Sequence, residues 1–213
     1  MKRENLADKA LWTAKKRYIL NVYDSEGVRY EEPKLKMMGV EAIRSSTPTA
    51  CKEKMKHLFK IIMNGTEDDV ITYIDDFRKE FMTLGAEEIF FPRSVRGLEK
   101  YHDAAHLHKK GAPIHVKAAL LYNKLLKDHK LVNDYPTIKD GEKIKFAYLK
   151  KQNTTGGESI AILNQLPHEF GIQEYIDYDK MFEKSFTEPM TNIMDAVGWK
   201  MKHIATLESF FGN

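Results

Sequence analysis

The chain has 213 residues, of which 42% are hydrophobic and 31% charged, and its formal net charge is +3. This balance is typical of a globular protein with a buried core. No run of about 18 apolar residues is present, so the sequence predicts no transmembrane helix, and the charged start Met1-Lys2-Arg3-Glu4 lacks the pattern of a signal peptide. The only cysteine is Cys51, which excludes an internal disulfide and a cysteine-based zinc site and makes a reducing cytoplasm the expected compartment.

Basic and acidic residues are concentrated in different parts of the chain. Lys15-Lys16-Arg17 form a tight basic cluster, and further lysines are frequent in residues 52–60 and 109–130. Acidic residues are concentrated at 67–69 and 174–183. This segregation is compatible with a nucleic-acid-binding face on a nearly neutral protein, although composition alone favours helix faces exposed to solvent.

The first predicted element is a β-hairpin within the extended segment 15–43. Tyr18, Leu20 and Val22 alternate with their neighbours in the manner of a strand, and Asp24-Ser25-Glu26-Gly27 predicts the turn. Pro33 should confine the returning strand to a sheet edge or end it.

Two helices are predicted next, as an antiparallel pair. Ser45-Ser46-Thr47-Pro48 can cap and start a helix over residues 48–63, which Asn64-Gly65 should end. Thr66 can cap a second helix, whose acidic first turn suits the helix dipole. The apolar residues of this second helix keep helical spacing up to Gly85: Val70, Ile74, Phe77 and Phe81.

The remaining pattern predicts an α+β protein, with the N-terminal hairpin followed by a mainly helical region containing a small β element. The further predicted elements are a strand at 89–91, a helix at 114–130, strands at 143–149 and 159–163, and a helix at 178–196 that Pro189 should kink or split.

Two groups of residues are candidates for metal-dependent chemistry. Asp177-Tyr178-Asp179 is the best local candidate for the carboxylates of a two-metal site, but an aspartate at a predicted helix start more often acts as a cap. His102 and His106 are four residues apart, as on one helix face, with His108 nearby. Asp103 stands where a catalytic zinc helix usually has a glutamate. A small metal-dependent enzyme built on these histidines is therefore one alternative for the function.

An ordered series of short motifs resembles the family B DNA polymerases of T-even-type bacteriophages and cyanophages. Lys15-Lys16-Arg17-Tyr18, followed by residues 19–24, resembles their Lys-Lys-Arg-Tyr motif. The series continues in the family's order at residues 32–41, at 45–48, at 182–186 with Pro189, and at 207–212. The middle of the chain, residues 85–165, matches only weakly.

The resemblance implies three parts: the palm edge in residues 1–39, the thumb in 40–206, and a tail at 207–213 that docks on the sliding clamp. The palm aspartates, the fingers and the exonuclease of such polymerases lie upstream of this region. We therefore expect one subunit of a split polymerase, or a truncated product, that grips primer–template DNA and is inactive alone. Magnesium is expected in the partner palm subunit, and phage DNA replication in the cytoplasm of the bacterial host is the expected setting. A free-standing nucleic-acid-binding module without a polymerase partner is the second alternative.

The resemblance also implies a set of DNA-binding residues. Its members are Lys15, Lys16, Arg17, Tyr18, Lys34, Lys36, Gly39, Arg44, Ser45 and Ser46. Lys16 would enter the minor groove, where an A·T base pair presents the same hydrogen-bond acceptors in either orientation. Gly39 would let the main chain approach the primer because it has no Cβ. Ser45 and Ser46 would seat a phosphate at the helix start.

Alternatives remain open for parts of this set. The basic cluster could be a solvated strand edge, and Ser46 could serve as an ordinary helix cap. Arg44 departs from the family pattern, where an uncharged residue is usual, and could add a phosphate contact.

The tail carries the predicted clamp-binding anchors. Leu207, Phe210 and Phe211 would enter an apolar groove of the sliding clamp as a short docking segment. Alternatively, the two phenylalanines fold back on the core of the thumb.

Overall fold

The computed structural model describes residues 4–200, and these adopt the predicted α+β class. By their internal contacts the described residues divide into two units, one formed by 4–44, 52–79 and 186–200 and the other by 45–51 and 80–185. The domain boundaries at 39/40 and 206/207 stay predictions.

The helices and strands follow one another in this order: β1 (Asn5–Ala14), β2 (Arg17–Ser25), β3 (Val28–Met38), α1 (Thr49–Asn64), α2 (Glu67–Phe81), α3 (Ala86–Ile89), β4 (Phe91–Ser94), α4 (Leu98–Tyr101), β5 (His102–Asp103), β6 (Leu107–His108), α5 (Ile114–Asp128), β7 (Lys143–Tyr148), β8 (Ser159–Ile162), α6 (Tyr178–Phe182) and α7 (Glu188–Val197). A π-helical turn, Glu183–Thr187, joins the last two helices.

The first unit contains an antiparallel sheet with the order β1-β2-β3. Strands β2 and β3 confirm the predicted hairpin, and Pro33 lies in an edge strand, as predicted. The pairing of β3 with β2 passes from Lys34 to Arg29 across a register shift, so Pro33 is not required to donate a ladder hydrogen bond.

Strand β1 was not predicted, and its pairing explains why. The register with β2 shifts between Leu6 and Ala7, between Ala7 and Lys9, and between Trp12 and Ala14. The second and third shifts each place an extra residue in β1. An extra residue breaks the period-two alternation by which a strand is recognised in a sequence.

One face of this sheet is buried and is tied to the helices of the same unit. Ile19 is fully buried and Asn21 is 8% exposed, and α7 packs against β1. Lys9, which is paired with Asn21, donates from Nζ to the Met63 carbonyl at 2.5 Å. A lysine at the C-terminal end of α1 satisfies a free carbonyl and interacts favourably with the helix dipole.

Helices α1 and α2 confirm the predicted antiparallel pair. His57 stacks on Tyr73 with ring centroids 5.1 Å apart, and Lys54 Nζ lies 5.2 Å from the centre of the Phe77 ring. The predicted apolar face of α2 is buried, with Val70, Ile74, Phe77 and Phe81 each at most 2% exposed.

The second unit contains a sheet with the order β4-β7-β8, and α5 packs against β8. The predicted helix at 114–130 and the strands at 143–149 and 159–163 are confirmed to within two residues at each end. The strand predicted at 89–91 is wrong in its position. Glu88 accepts a hydrogen bond from the Gly85 N–H at 2.9 Å and so starts a short helix through Ile89, which moves the strand to Phe91–Ser94.

The last predicted helix, 178–196, is confirmed with an interruption at the π-helical turn before Pro189. Asp177 caps α6, because its Oδ1 accepts from the Lys180 N–H at 2.9 Å. Cys51 is fully buried, and burial raises the pKa of its thiol to about 11. The thiol therefore stays neutral and packs in the interior.

Within residues 4–200 no helix combines the length and the hydropathy that crossing a membrane requires.

The cap of α2 gives a test of the fold. The Asp69 N–H donates to Thr66 Oγ1 at 3.3 Å, and the Thr66 hydroxyl and N–H both donate to the Asp69 carboxylate, which lowers the pKa of Asp69. We expect Thr66→Ala to reduce the free energy of unfolding by about 1 kcal/mol and to raise the Asp69 pKa, as measured by urea denaturation and NMR titration. Thr66→Ser, which keeps the hydroxyl, should retain most of the free energy of unfolding and most of the lowering of the Asp69 pKa. An equal loss of stability in the two variants would contradict this account of the cap.

Candidate nucleic-acid interface

The basic cluster lies at the tip of the turn that joins β1 to β2. Ala14 pairs with Arg17, so Lys15 and Lys16 are the two turn residues between them. The extended segment predicted to start at residue 15 starts instead at Arg17. Lys15, Lys16 and Arg17 are all exposed. Lys16 has a φ of +63°, a left-handed conformation that costs a non-glycine residue about 1–2 kcal/mol. The turn therefore requires support from the surrounding structure.

Gly39, the residue after β3, lies against this turn and leaves room for it. Its φ is +68°, and a Cβ at this position would lie 2.5 Å from the Lys16 carbonyl oxygen and 3.0 Å from Arg17 Cγ. The missing side chain thus leaves room for the basic turn of the same molecule. This role differs from the predicted approach of Gly39 to the primer, which stays a prediction.

Arg44 holds Gly39 in place. Its Nη2 donates to the Gly39 carbonyl at 2.9 Å, and its Nη1 forms a 2.9 Å ion pair with Glu41 Oε1. The guanidinium is thus engaged within the protein, and its charge is partly compensated by Glu41. The phosphate contact of Arg44 stays a prediction; the structure gives this residue a supporting role that the sequence did not indicate.

The β1–β3 sheet has a second face, opposite the buried face of Ile19, and this face carries further predicted DNA-binding residues beside the turn. Directly opposed residues of antiparallel strands share a face. The row next to the turn consists of Trp12, Tyr18 and Met38, and the following row consists of Ala10, Leu20 and Lys36. These two rows contain no carboxylate. We call them the turn-proximal face.

Lys34 lies one row further from the turn, opposite Val22. Its Nζ is 4.2 Å from the centre of the Tyr30 ring, a cation–π contact that orients the ammonium group. The structure therefore brings Lys15, Lys16, Arg17, Tyr18 and Lys36 to one end of the sheet, with Lys34 at a greater distance.

Ser45 and Ser46 belong to the second unit. Ser45 is exposed, Ser46 is half-buried, and both precede the first residue of α1, Thr49. The Cys51 N–H donates to the Pro48 carbonyl at 3.1 Å, so the first turn begins at the predicted place. The phosphate seat at these serines stays a prediction.

The histidine group does not lie on a helix, and the prediction that His102 and His106 share a helix face is wrong. His102 pairs with His108 in the β5–β6 hairpin, and His106 lies in the turn between them. The Asp103 carboxylate accepts from the N–H groups of Ala105 and His106 at 2.8 and 3.1 Å, which favours a turn and lowers the pKa of Asp103.

Across residues 4–200, no group of three or more histidine, cysteine, aspartate or glutamate side chains is arranged to hold a metal ion. The metal enzyme built on His102, His106 and His108 therefore has no support among these residues. The predicted clamp-binding residues Leu207, Phe210 and Phe211 lie outside the described residues.

Comparison with known proteins identified two relatives of this sequence. It is 33% identical over 205 residues to the DNA-directed DNA polymerase of Enterobacteria phage T4, covering 94% of this chain and 22% of that polymerase. It is 32% identical over 206 residues to the DNA-directed DNA polymerase of Escherichia phage RB69, with the same coverage. The chain thus spans about a fifth of the length of these curated relatives. No family model matches it.

The contact between Gly39 and the basic turn gives a second test. We expect Gly39→Ala to destabilise the chain through both its left-handed φ and the collision with the Lys16 carbonyl. Gly27→Ala is the matched control, because Gly27 has a φ of +91° but no atom within 4 Å of its Cβ position. Gly39→Ala should lose about 1 kcal/mol more unfolding free energy than Gly27→Ala in urea denaturation. Equal losses would show that the close approach is unimportant.

Proposed function

We propose that this chain, which is related to a segment of phage family B DNA polymerases, holds the primer–template duplex during DNA replication. The observation that carries the proposal is the exposed basic turn, Lys15-Lys16-Arg17, which its own sheet holds in a strained conformation. Strained residues cluster at functional sites, where the surrounding structure maintains them. The similarity to the two phage polymerases over 94% of the chain supports duplex DNA as the ligand.

The proposed grip is independent of DNA sequence. Lysine and arginine side chains that contact phosphates position a duplex without reading its bases. A lysine in the minor groove meets acceptors at A N3 and T O2 in either orientation of the pair. In this proposal Lys16 enters the minor groove near the primer terminus, and Lys15, Arg17, Tyr18 and Lys36 contact the primer strand.

In this proposal, nucleotidyl transfer takes place in the rest of the polymerase. The palm carboxylates of that part would hold magnesium, which stabilises the attacking and leaving oxygens of the transfer. This chain would contribute the palm edge and the thumb, in the cytoplasm of the bacterial host. Its residues keep the duplex bound and hold the primer end in line.

The tail adds a second proposed contact, with the sliding clamp. Leu207, Phe210 and Phe211 have the composition of a short apolar docking segment. Such a contact would keep the polymerase on DNA between additions of nucleotides.

The duplex grip is tested by single lysine substitutions. We expect Lys16→Ala and Lys36→Ala each to weaken duplex binding several-fold, to the same extent for duplexes of unrelated sequence, because phosphate and minor-groove contacts do not discriminate bases. The measurement is fluorescence anisotropy with labelled primer–template DNA. Lys79→Ala is the control, because Lys79 is exposed on α2 and paired with Asp76 at 3.0 Å. Unchanged affinity in both test variants would refute the proposal.

The clamp contact is tested separately. We expect the double substitution Phe210→Ala and Phe211→Ala to abolish binding to the phage sliding clamp, because the apolar anchors are removed, while duplex affinity stays unchanged. Surface plasmon resonance with immobilised clamp measures the first quantity and anisotropy the second. Glu208→Ala, in the same tail, is the control. Full clamp binding by the double variant would exclude the tail as the docking segment.

A further inference from the structure

Trp12 is an exposed aromatic residue that no part of the proposed grip has used. It is 66% exposed and Met38 is 45% exposed, and both lie in the row of the turn-proximal face that borders the Lys15–Lys16 turn. Contiguous apolar side chains surrounded by polar residues are a feature of binding surfaces. Tyr18 lies between them in the same row.

The surroundings of this row favour a polyanionic ligand. The basic turn borders the row of Trp12 on one side, and the row that contains Lys36 borders it on the other side. Neither of these two rows contains a carboxylate. An apolar protein surface as the ligand would leave these ammonium groups facing a nonpolar partner, which is costly. A nucleic-acid strand offers phosphates to the lysines and apolar sugar edges to the aromatic row.

We infer that Trp12 is a DNA-positioning residue, which packs its indole against deoxyribose edges in the minor groove of the bound duplex. The inference rests on the proposed function. Bases in a duplex are stacked and unavailable to an aromatic ring, whereas the sugar C–H groups that line the groove are exposed. The indole N–H is a donor only, which suits a groove whose A·T pairs show only acceptors. Contact with sugars keeps the grip independent of sequence.

The composition of the chain allows a direct test, because it contains only one tryptophan besides Trp12, namely Trp199. In the full chain carrying Trp199→Phe, all tryptophan emission comes from Trp12. Adding primer–template duplex should shift this emission to shorter wavelengths and reduce its quenching by acrylamide. Both changes should follow the same concentration dependence as the anisotropy of labelled duplex.

The outcomes separate this inference from the proposed function. Duplex binding by anisotropy without any change in Trp12 emission or quenching would overturn the inference and leave the proposed grip intact. Absence of duplex binding would overturn both. If acrylamide fails to quench Trp12 in the absence of DNA, the indole is covered by a protein surface, which belongs either to a second copy or to another part of the chain. This result would also overturn the inference.

A substitution series gives an independent readout. We expect Trp12→Ala to weaken duplex binding by about tenfold, with an unchanged dependence on salt, because no phosphate contact is lost. Lys36→Ala should instead reduce the salt dependence by one phosphate contact. Val28→Ala is the matched control, since Val28 is 63% exposed on the same sheet but at the opposite turn. The thermal stability of Trp12→Ala should equal that of the unmodified chain. Wild-type affinity of Trp12→Ala for the duplex would contradict the inference, and so would a salt dependence lowered to the extent seen in Lys36→Ala.

Discussion

The approach of Gly39 to the Lys16 carbonyl oxygen is the contact on which the basic turn depends. Lys16 adopts a left-handed conformation that is unfavourable for a lysine, and Gly39, with its own positive φ, packs where any side chain would collide with that carbonyl. Arg44 donates a hydrogen bond to the Gly39 carbonyl and is itself held by an ion pair with Glu41. The result is a turn whose backbone is held in position before any ligand is bound. A preorganised site loses less conformational entropy on binding.

In the proposed function, the placement of a few basic residues matters more than the net charge of the chain, which is only +3. The positive charge matters through its placement, because Lys15, Lys16, Arg17 and Lys36 lie at one end of a sheet whose neighbouring rows have no carboxylate. Phosphate contacts from such a cluster give affinity and no sequence preference. That combination suits the proposed place of this chain within a polymerase related to those of phages T4 and RB69.

The sequence predicted elements well where a single period dominates, and poorly where local bonding changes the period. Helices α2 and α5 follow from uninterrupted apolar spacing, and the β2–β3 hairpin from alternation with a clear turn. Strand β1 was missed because two extra residues within it break the alternation. The helix assumed for His102 and His106 rested on their spacing alone, whereas the Asp103 carboxylate bonds to two following N–H groups and forms a turn.

The residues of the candidate site could be predicted from the sequence, but the contacts that position them could not. The basic cluster is visible in the sequence because Lys15, Lys16 and Arg17 are consecutive and are followed by Tyr18 in a recognisable motif. The roles of Gly39 and Arg44 depend on contacts between residues that are distant in the sequence, or on an ion pair that composition does not reveal. The alignment of Trp12 with Tyr18 and Met38 requires the register of three strands, including the strand that was not predicted.

The most direct test of the central claim is the salt dependence of duplex binding by the unmodified chain. A grip on about six phosphates predicts that the logarithm of the association constant falls with the logarithm of salt concentration with a slope of about −5. The affinity should then fall on the order of a thousandfold between about 50 and 200 mM salt. A slope near zero would show that the basic turn does not bind the phosphate backbone and would contradict the account.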